Sequence, residues 1–387
     1  MLRKLLFLIS FVFFVSAYGQ QDILVKLFSS YPIGQSWVTT HNGDYFLIGT
    51  DANFNEIDTI DDLHGADALR TLLIKKAADK VEVFKGGKSF GKYDGLKLMT
   101  SKTDAHFIIL GKGAERIYNG NLWFRSYKDH FQVINQIAIE PYVAGVVESE
   151  GGHVTDVEYF KAQAVLARTW VLKNMNKHIE DGYNVKDNVS SQAYYSKAYL
   201  QNSKAILTAV AETKGIVLLD SKNKLVFGAF HSNSGGQTSN SEDIWSQKIE
   251  YLRSVEDPYS LKGDKATWEK KVSKADFLAF FAQKIGVPAT DKSLQRAVLN
   301  IHMKTREPWF EYNGKKVKMR DVRNKFRLRS SFFSVSSEGE NVLIKGKGFG
   351  HGVGLSQQGA MEMAREGKLY DEILLFYFKG THLAPNP

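Results

Sequence analysis

Two glutamates follow an apolar run in the first half of the chain. Residues 142–147 read YVAGVV, and Glu148 and Glu150 come next, just before two glycines. The run resembles a buried strand, and a carboxyl group at the end of such an element can be held in one place and partly desolvated. Desolvation raises a carboxyl pKa towards neutrality, as general acid catalysis requires, whereas the dipole of a helix starting soon afterwards would lower it. The alternative is a pair of solvated glutamates in a loop.

A second segment, residues 230–245, mixes hydroxyls, amides, one histidine and two acids between a predicted strand and Trp245. Its sequence is FHSNSGGQTSNSEDIW. Short polar side chains suit the hydroxyls of a sugar, and an aromatic face suits the C–H surface of a sugar ring. The segment therefore predicts either a sugar site or a polar surface loop that ends on a core tryptophan.

A third segment, residues 346–359, alternates glycine with other residues around His351 and reads GKGFGHGVGLSQQG. Alternating glycines clear one face of an extended chain, so that another backbone or a polymer can approach closely. The spacing fails the dinucleotide fingerprint GxGxxG, and GLSQQ misses the nucleophile elbow GxSxG at its last position. The pattern favours a functional site over plain packing.

The elements that must position these segments form a mixed α+β pattern without regular βαβ alternation. Thr155 and Glu158 match a capping box, and apolar residues at helical spacing follow to residue 175. Further helices are predicted over 196–213, 273–286, 356–365 and 370–378. Before residue 130 short β segments dominate, with a hairpin at Asn119-Gly120 and one helix over 66–78.

Composition narrows the function classes. The chain has 387 residues, of which 43% are hydrophobic and 24% charged, as in globular proteins of two or three domains. The absence of Cys excludes disulfides, Cys-ligated metals and thiol nucleophiles. The net charge of +9 suits an anionic polymer, but the charges are scattered and no nucleic-acid motif is present, so no nucleic-acid partner is expected.

The N-terminus has the pattern of a secretory signal peptide. Arg3 and Lys4 precede an apolar run over residues 5–15, and Ala-Tyr-Gly follows at 17–19. The run is shorter than the roughly 20 residues that span a bilayer. We expect an exported protein, cleaved near Gly19 to a chain of charge +7, with no stable membrane span. The alternative is a short uncleaved membrane tether.

Seven sequence segments together resemble the SpoIID/LytB family of lytic transglycosylases and amidase enhancers. They cover roughly residues 117–383 and read YVAGVVESE, KAQAVLARTW, AFHSNSGGQTSNSEDIW with YLRSVEDPY, LRSSFF, and GKGFGHGVGLSQQGA with FYFKGTHL. The resemblance implies a peptidoglycan lytic transglycosylase, in the periplasm or cell-wall space of a bacterium, that cuts glycan strands already stripped of stem peptides. Its fold would be α+β, with a largely antiparallel sheet core and packed helices lining a glycan groove.

By this resemblance Glu150 matches the catalytic glutamate, and Glu148 does not. A protonated Glu150 would donate to the oxygen between N-acetylmuramic acid and N-acetylglucosamine. It would then accept the proton of the muramoyl C6 hydroxyl, which attacks C1 and closes a 1,6-anhydro ring without a second carboxylate. The resemblance places Arg168 near the sugar or Glu150, with a surface ion pair as the alternative. It assigns the groove to His231, Ser232, Ser234, Glu242, His351 and Gln357.

The chain departs from the family pattern at two places. Gly151-Gly152 replace the usual Met-Pro, which predicts a more mobile catalytic loop. Residues 189–194 read VSSQAY and lack the His-Cys pair that holds zinc in some members, so no metal or cofactor is expected. The domain prediction is a signal peptide over 1–19, a β-rich region over 20–116 and a catalytic domain over 117–387.

Two other function classes stay open at this point. One is a non-catalytic glycan-binding protein that stimulates a cell-wall amidase. The other is a metallohydrolase using His and carboxylate ligands, which the lack of clustered ligands in the sequence disfavours.

Overall fold

The computed structural model describes residues 22–42, 44–63, 70–151 and 156–386. The predicted signal peptide, Gly152 and Thr155 of the predicted capping box lie outside the described residues. The described part combines helices with mostly antiparallel sheets, which confirms the α+β class. None of its helices is both long and apolar enough to cross a membrane.

The described residues up to 138 form strands in which buried and exposed side chains alternate. They are β1 (Asp22–Leu27), β2 (Gln35–His41), β3 (Phe46–Thr50), β4 (Glu56–Asp62), β5 (Thr71–Ala77), β6 (Lys80–Lys85), β7 (Lys88–Tyr93), β8 (Gly95–Met99), β9 (His106–Gly111), β10 (Ala114–Asn119), β11 (Asn121–Tyr127) and β12 (His130–Ala138). Together with β13 (Val185–Lys186) they make two sheets, in the orders β13-β1-β12-β11-β8-β3-β4 and β10-β9-β2-β5-β6-β7. The two sheets share one hydrophobic core, and the first joins strands from both sides of residue 116.

The hairpin predicted at Asn119-Gly120 is wrong. There the chain passes from one sheet to the other, since β10 pairs with β9 whereas β11 pairs with β12 and β8. Gly120 has a φ of +83°, and Asn135 Nδ2 donates to the carbonyl oxygens of Asn119 and Asn121, each at 2.9 Å. The Asn-Gly signal thus marks a left-handed residue at a corner, where glycine is free of strain.

The helix predicted over 66–78 is also wrong where the structure describes it. Thr71–Ala77 form β5, with Leu72 and Ile74 buried on alternate positions, and residues 64–69 lie outside the described residues. Cross-strand pairing with β2 and β6 outweighs the helical propensity of this lysine- and alanine-containing run.

The described helices confirm the predicted ones near residues 157–175, 273–286, 356–365 and 370–378. The helices are α1 (Ile139–Glu150), α2 (Val157–Lys173), α3 (Ser203–Glu212), α4 (Ser241–Ile244), α5 (Lys274–Ile285), α6 (Lys292–Leu299), α7 (Met319–Lys325), α8 (Gln357–Arg365) and α9 (Tyr370–Tyr377). The helix predicted over 196–213 begins only at Ser203. Asp156 caps α2, accepting the N–H of Glu158 at 3.0 Å.

Helix α1 replaces the strand predicted over residues 142–147. All six residues are buried, so their apolar side chains form an unbroken run instead of a helical stripe. Helix α1 packs against α2, α3 and β12 in the first core. Glu150 therefore ends a helix, which changes its electrostatic environment.

Residues 267–347, termed the insert, enclose a second hydrophobic core. Its ends meet, because Thr267 of the first strand pairs with Lys347 of the last. The chain thus leaves residues 230–245, folds the insert and returns beside them. The remaining strands are β14 (Ile216–Leu219), β15 (Phe230–His231), β16 (Thr267–Ser273), β17 (Trp309–Tyr312), β18 (Lys315–Lys318), β19 (Phe333–Glu338), β20 (Asn341–Lys347), β21 (Leu355–Ser356) and β22 (His382–Pro385).

Candidate active site

The three segments singled out in the sequence meet at a cleft of about 270 Å³. Each segment contributes a lining residue: Glu150 from the first, Trp245 from the second and His351 from the third. The other walls come from the end of α2, a loop before residue 193 and the approach to β15. Their lining residues are Trp170, Asn174, Lys177, Val189, Ser190, Ser191, Gln192, Phe227, Gly228, Ala229 and Phe230.

Glu150 is the last residue of α1, and its half-buried side chain lines the cleft. Its Oε1 accepts the main-chain N–H of Ala193 at 2.9 Å, and its carbonyl oxygen accepts Gln357 Nε2 at 2.8 Å. Burial raises the pKa of Glu150, and the Ala193 hydrogen bond opposes this rise. Because the carboxyl group stands at the C-terminal end of its own helix, the helix dipole also favours the protonated form.

Glu148 lies outside the cleft. Its carboxylate accepts the main-chain N–H groups of Tyr199 and Leu200, at 3.1 and 3.0 Å. Among the described residues that line the cleft, Glu150 is the only one with a carboxyl group. Nor do three His, Asp or Glu side chains of the described chain lie close enough together to hold a metal ion.

His231 and His351 lie next to each other because the glycine-rich segment before β21 runs beside β15, where Asn233 also forms an antiparallel bridge with Phe349. Their ring centroids are 5.5 Å apart, and the ring of His351 is 5.3 Å from that of Trp245. Burial lowers the pKa of His351 to about 4, helped by nearby arginines, and burial lowers the pKa of His231 well below its ordinary value. Both imidazoles are therefore neutral at neutral pH.

The hydrogen bonds of the two histidines define their tautomers. His231 Nδ1 is 3.2 Å from the carbonyl oxygen of Val353, which only accepts, so Nδ1 carries the proton and Nε2 is an acceptor. That Nε2 atom is buried and has no hydrogen-bond partner among the described residues. His351 Nδ1 accepts the N–H of Val353 at 3.0 Å, which leaves its Nε2 as the donor.

The alternating glycines let one backbone lie against another. Gly350 has a φ of +114°, and a Cβ atom there would come within 2.8 Å of the Cβ atom of His231. At Gly354, with a φ of +72°, a Cβ atom would lie 2.1 Å from the carbonyl oxygen of Ala229. The prediction of a close approach is thus confirmed, and the approaching group is the neighbouring backbone.

Arg168 belongs to a buried ion pair, which corrects both alternatives drawn from the sequence. The residue is 1% exposed, and its guanidinium donates to both carboxylate oxygens of Glu140, at 2.9 and 2.5 Å. A third bond reaches the carbonyl oxygen of Ile216 at 3.0 Å. Arg168 thus contacts neither the cleft nor Glu150, and it is no surface pair either.

Ser232, Ser234 and Glu242 also lie away from the cleft lining. Ser234 is fully buried, and its hydroxyl is 2.7 Å from both Asp257 Oδ2 and Ser260 Oγ. Glu242 pairs with Arg253, at 2.6 and 2.5 Å, which lowers the pKa of Glu242 to about 2. Of the predicted residues, Glu150 and His351 line the cleft, while Gln357 and the buried His231 lie directly behind them, against the Glu150 carbonyl oxygen and the His351 ring. The structure does not bring four others to the cleft, namely Arg168, Ser232, Ser234 and Glu242.

The sequence did not predict a role for the loop over residues 188–193, which faces Glu150. The sequence of residues 188–193 indicates only the absence of a zinc site, yet the main-chain N–H of Ala193 in this loop donates to Glu150. A main-chain donor has no side-chain signature, so the loop's role could be read only from its place in a family motif. Trp170 was missed as well, because its helical spacing is that of an ordinary core residue.

The amino-acid sequence of this chain matches a known family of proteins. Residues 127–219 match the SpoIID family, described as stage II sporulation protein. Stage II sporulation protein D from Bacillus subtilis (strain 168) is 35% identical over 306 residues, which cover 76% of this chain and 88% of that relative. The protein of the same name from Bacillus amyloliquefaciens is 35% identical over 299 residues, or 72% of this chain and 84% of the relative.

A more distant relative carries a different name. An amidase enhancer from Bacillus subtilis (strain 168) is 26% identical over 292 residues, which cover 62% of this chain and 40% of the enhancer. The chain belongs to the SpoIID family, which confirms the resemblance found in its sequence.

Proposed function

We propose that this chain is an exported peptidoglycan lytic transglycosylase that cleaves peptide-free glycan strands, with Glu150 as both acid and base. The observation that carries the proposal is that one carboxyl group, with a pKa raised by burial, stands among the described residues of the cleft. A hydrolase that activates water needs a second carboxylate, whereas attack by the substrate's own C6 hydroxyl does not. The signal-peptide pattern of residues 1–19 supports export.

The proposed reaction balances without water. Protonated Glu150 gives its proton to the glycosidic oxygen as the bond from that oxygen to C1 of the muramoyl residue breaks. The C6 hydroxyl of the same sugar attacks C1, and its proton passes to the Glu150 carboxylate, which restores the starting state. The Ala193 N–H stabilises that carboxylate between the two steps, since a hydrogen bond to the charged form favours it.

The neutral histidines and Trp245 suit a carbohydrate. Trp245 is half-buried and lines the cleft, where its aromatic ring can pack against a sugar, and the neutral ring of His351 lines the same cleft. Because burial keeps both imidazoles neutral near neutral pH, neither of them competes with Glu150 for the proton.

Arginines near the histidines suit an anionic substrate. Arg306 is held by the carbonyl oxygens of Ser234 and Gln237, at 2.7 and 2.6 Å. Arg323 is half-buried, its side chain has no hydrogen bond or ion pair with any described residue, and its charge helps to lower the pKa of His351. Muramic acid without a stem peptide carries a free lactyl carboxylate, so peptide-free strands supply the matching charge.

Replacement of Arg323 by Gln is expected to weaken binding of peptide-free strands about tenfold, the scale of one charge-assisted hydrogen bond. The loss should shrink at high salt and with strands whose lactyl carboxylates are converted to amides. Binding by isothermal titration calorimetry would measure it. Arg296→Gln, which removes an exposed arginine of α6, is the matched control and should bind as the wild type. Equal losses in the two variants would contradict a specific role for Arg323.

Product analysis tests the proposed function directly. The mature protein, starting at Gln20, is incubated with peptide-free glycan strands, and the ends are identified by mass spectrometry. We expect 1,6-anhydromuramoyl ends. Reducing ends would overturn the proposal in favour of a hydrolase.

A second candidate is a non-catalytic enhancer of a cell-wall amidase, favoured by the relative that bears that name. Glycan binding without cleavage, together with stimulation of an amidase added to intact peptidoglycan, would support this candidate against the transglycosylase.

A further inference from the structure

The loop over residues 188–193, which faces Glu150, is closed by a main-chain hydrogen bond between the residues on either side of it. It runs between Asp187 and Tyr194, and the N–H of Tyr194 donates to the carbonyl oxygen of Asp187 at 3.2 Å. Ala193, the residue before the closure, gives its N–H to Glu150 Oε1 at 2.9 Å. The position of this donor therefore depends on what holds Asp187.

Asp187 is held by the N-terminal β-rich region. It is 2% exposed, and its carboxylate accepts the main-chain N–H groups of Phe28 at 2.6 Å and Ser29 at 3.0 Å. It also accepts the hydroxyl of Ser29 and Arg116 Nη1, the latter at 2.7 Å. Four donors converge on one carboxylate, close to the limit of what its two oxygens accept.

The backbone on either side of the loop is fixed to the same region. Before it, β13 pairs in parallel with β1, and the N–H of Asp187 donates to the carbonyl oxygen of Lys26 at 3.1 Å. After it, the guanidinium of Arg116 lies 5.1 Å from the ring centroid of Tyr195, while also lying 4.5 Å from that of Phe28. Every one of these partners belongs to residues 22–116, the region without a chemical motif of its own.

We propose that Asp187 is a positioning residue, which ties the loop 188–193 to the N-terminal β-rich region and so keeps the Ala193 N–H on the Glu150 carboxylate. The N-terminal region is then part of the active-site scaffold. The role of Asp187 in catalysis rests on the proposed function of Glu150, whereas its effect on the Glu150 hydrogen bond does not.

Release of the loop has a defined chemical effect. Glu150 loses the one hydrogen bond that opposes the effect of burial, so its pKa rises further. The carboxylate formed after proton donation is also less stabilised. Because a misplacement of about 1 Å can cost on the order of 100-fold in rate, kcat should fall 10- to 100-fold while KM changes little.

Asp187→Asn tests the proposal, since the amide is nearly isosteric with the carboxylate. Its NH2 group cannot accept a hydrogen bond, so the amide cannot accept from Arg116 and both main-chain N–H groups as the carboxylate does. The Glu150 carboxyl group is titrated by carbon-13 NMR, and kcat and KM are measured on peptide-free strands. We expect a higher Glu150 pKa than in the wild type, with the kinetic change given above. Ser29→Ala removes only one donor and should give a smaller rise, so it serves if Asp187→Asn fails to fold.

Asp51→Asn is the matched control. Asp51 also accepts two main-chain N–H groups, from Asn53 and Asn55 at 2.9 and 2.8 Å, but in the turn between β3 and β4 at the far edge of the same sheet. It should change neither the Glu150 pKa nor kcat. An unchanged Glu150 pKa in folded Asp187→Asn or Ser29→Ala overturns the positioning role. A wild type without glycan cleavage overturns only the proposed function, because the titration still decides the role of Asp187.

Discussion

Replacement of Glu150 by Gln is expected to reduce glycan cleavage on the order of 10³-fold or more, since the one group that moves both protons is lost. The glutamine oxygen can still accept the Ala193 N–H and the side chain keeps its size, so the cleft should stay intact. Mass spectrometry of anhydro ends measures the activity. Retention of full activity in Glu150→Gln would refute the assignment of this residue.

The same substitution should raise the melting temperature at neutral pH. Burial raises the pKa of Glu150 in the folded state, so the native protein binds its proton more tightly than the unfolded chain does. Stability of the wild type therefore falls as the pH rises from the unfolded pKa, about 4.5, through the higher folded value. The difference in melting temperature between variant and wild type should be small at pH 4 and larger at pH 7.

Glu148 supplies the matched control. Burial raises its pKa too, but its carboxylate contacts the main chain at Tyr199 and Leu200, outside the cleft. Glu148→Gln should preserve cleavage and show a similar pH trend in stability. Full cleavage by Glu150→Gln, together with loss of cleavage in Glu148→Gln, would instead assign the catalytic role to Glu148.

Replacement of Arg168 by Met is expected to destabilise the fold by about 3 kcal/mol, the lower end for loss of one partner in a buried ion pair. The Glu140 carboxylate, 19% exposed, would lose both of its guanidinium bonds. Chemical unfolding of the variant and the wild type measures this difference in the free energy of unfolding. Changing Glu140 to Gln in the same protein should recover part of the loss, since no charge is then left without its partner.

Because Arg168 lies away from the cleft, the folded fraction of Arg168→Met should bind glycan with the affinity of the wild type. Lost affinity with full stability would instead return Arg168 to the groove. Arg253→Met offers a comparison, because Arg253 pairs with Glu242 at a more exposed position. That change should cost less than about 1 kcal/mol, as surface pairs usually do.

Local signals explain what the sequence predicted correctly. Ser273 caps α5 by accepting the N–H of Asp276 at 3.2 Å, and Gly286 ends it with a φ of +77°, so both ends of that helix are set by residues at its boundaries. The glycine pattern around His351 predicted a close approach because glycine is required at individual positions where φ is positive or where another backbone lies too close for a Cβ atom.

Tertiary context explains what the sequence did not predict. Helix α1 is buried nearly all round, which removes the periodicity that distinguishes helix from strand. The family resemblance placed Arg168 near the sugar or Glu150, but its partner, Glu140, lies 28 residues earlier and only the fold brings the two together. The Ala193 N–H could not be identified by type, since every residue except proline has one.

The closed ends of the insert have a consequence for how the molecule folds. His231 and His351 are 120 residues apart in the chain, and most of that separation is the insert. Because Thr267 pairs with Lys347 over a core of its own, prior folding of the insert shortens the effective loop between the histidines about threefold. Loop-closure entropy then favours their pairing by about 1 kcal/mol. Damage to the insert's core would therefore slow the assembly of the cleft without altering any residue in it.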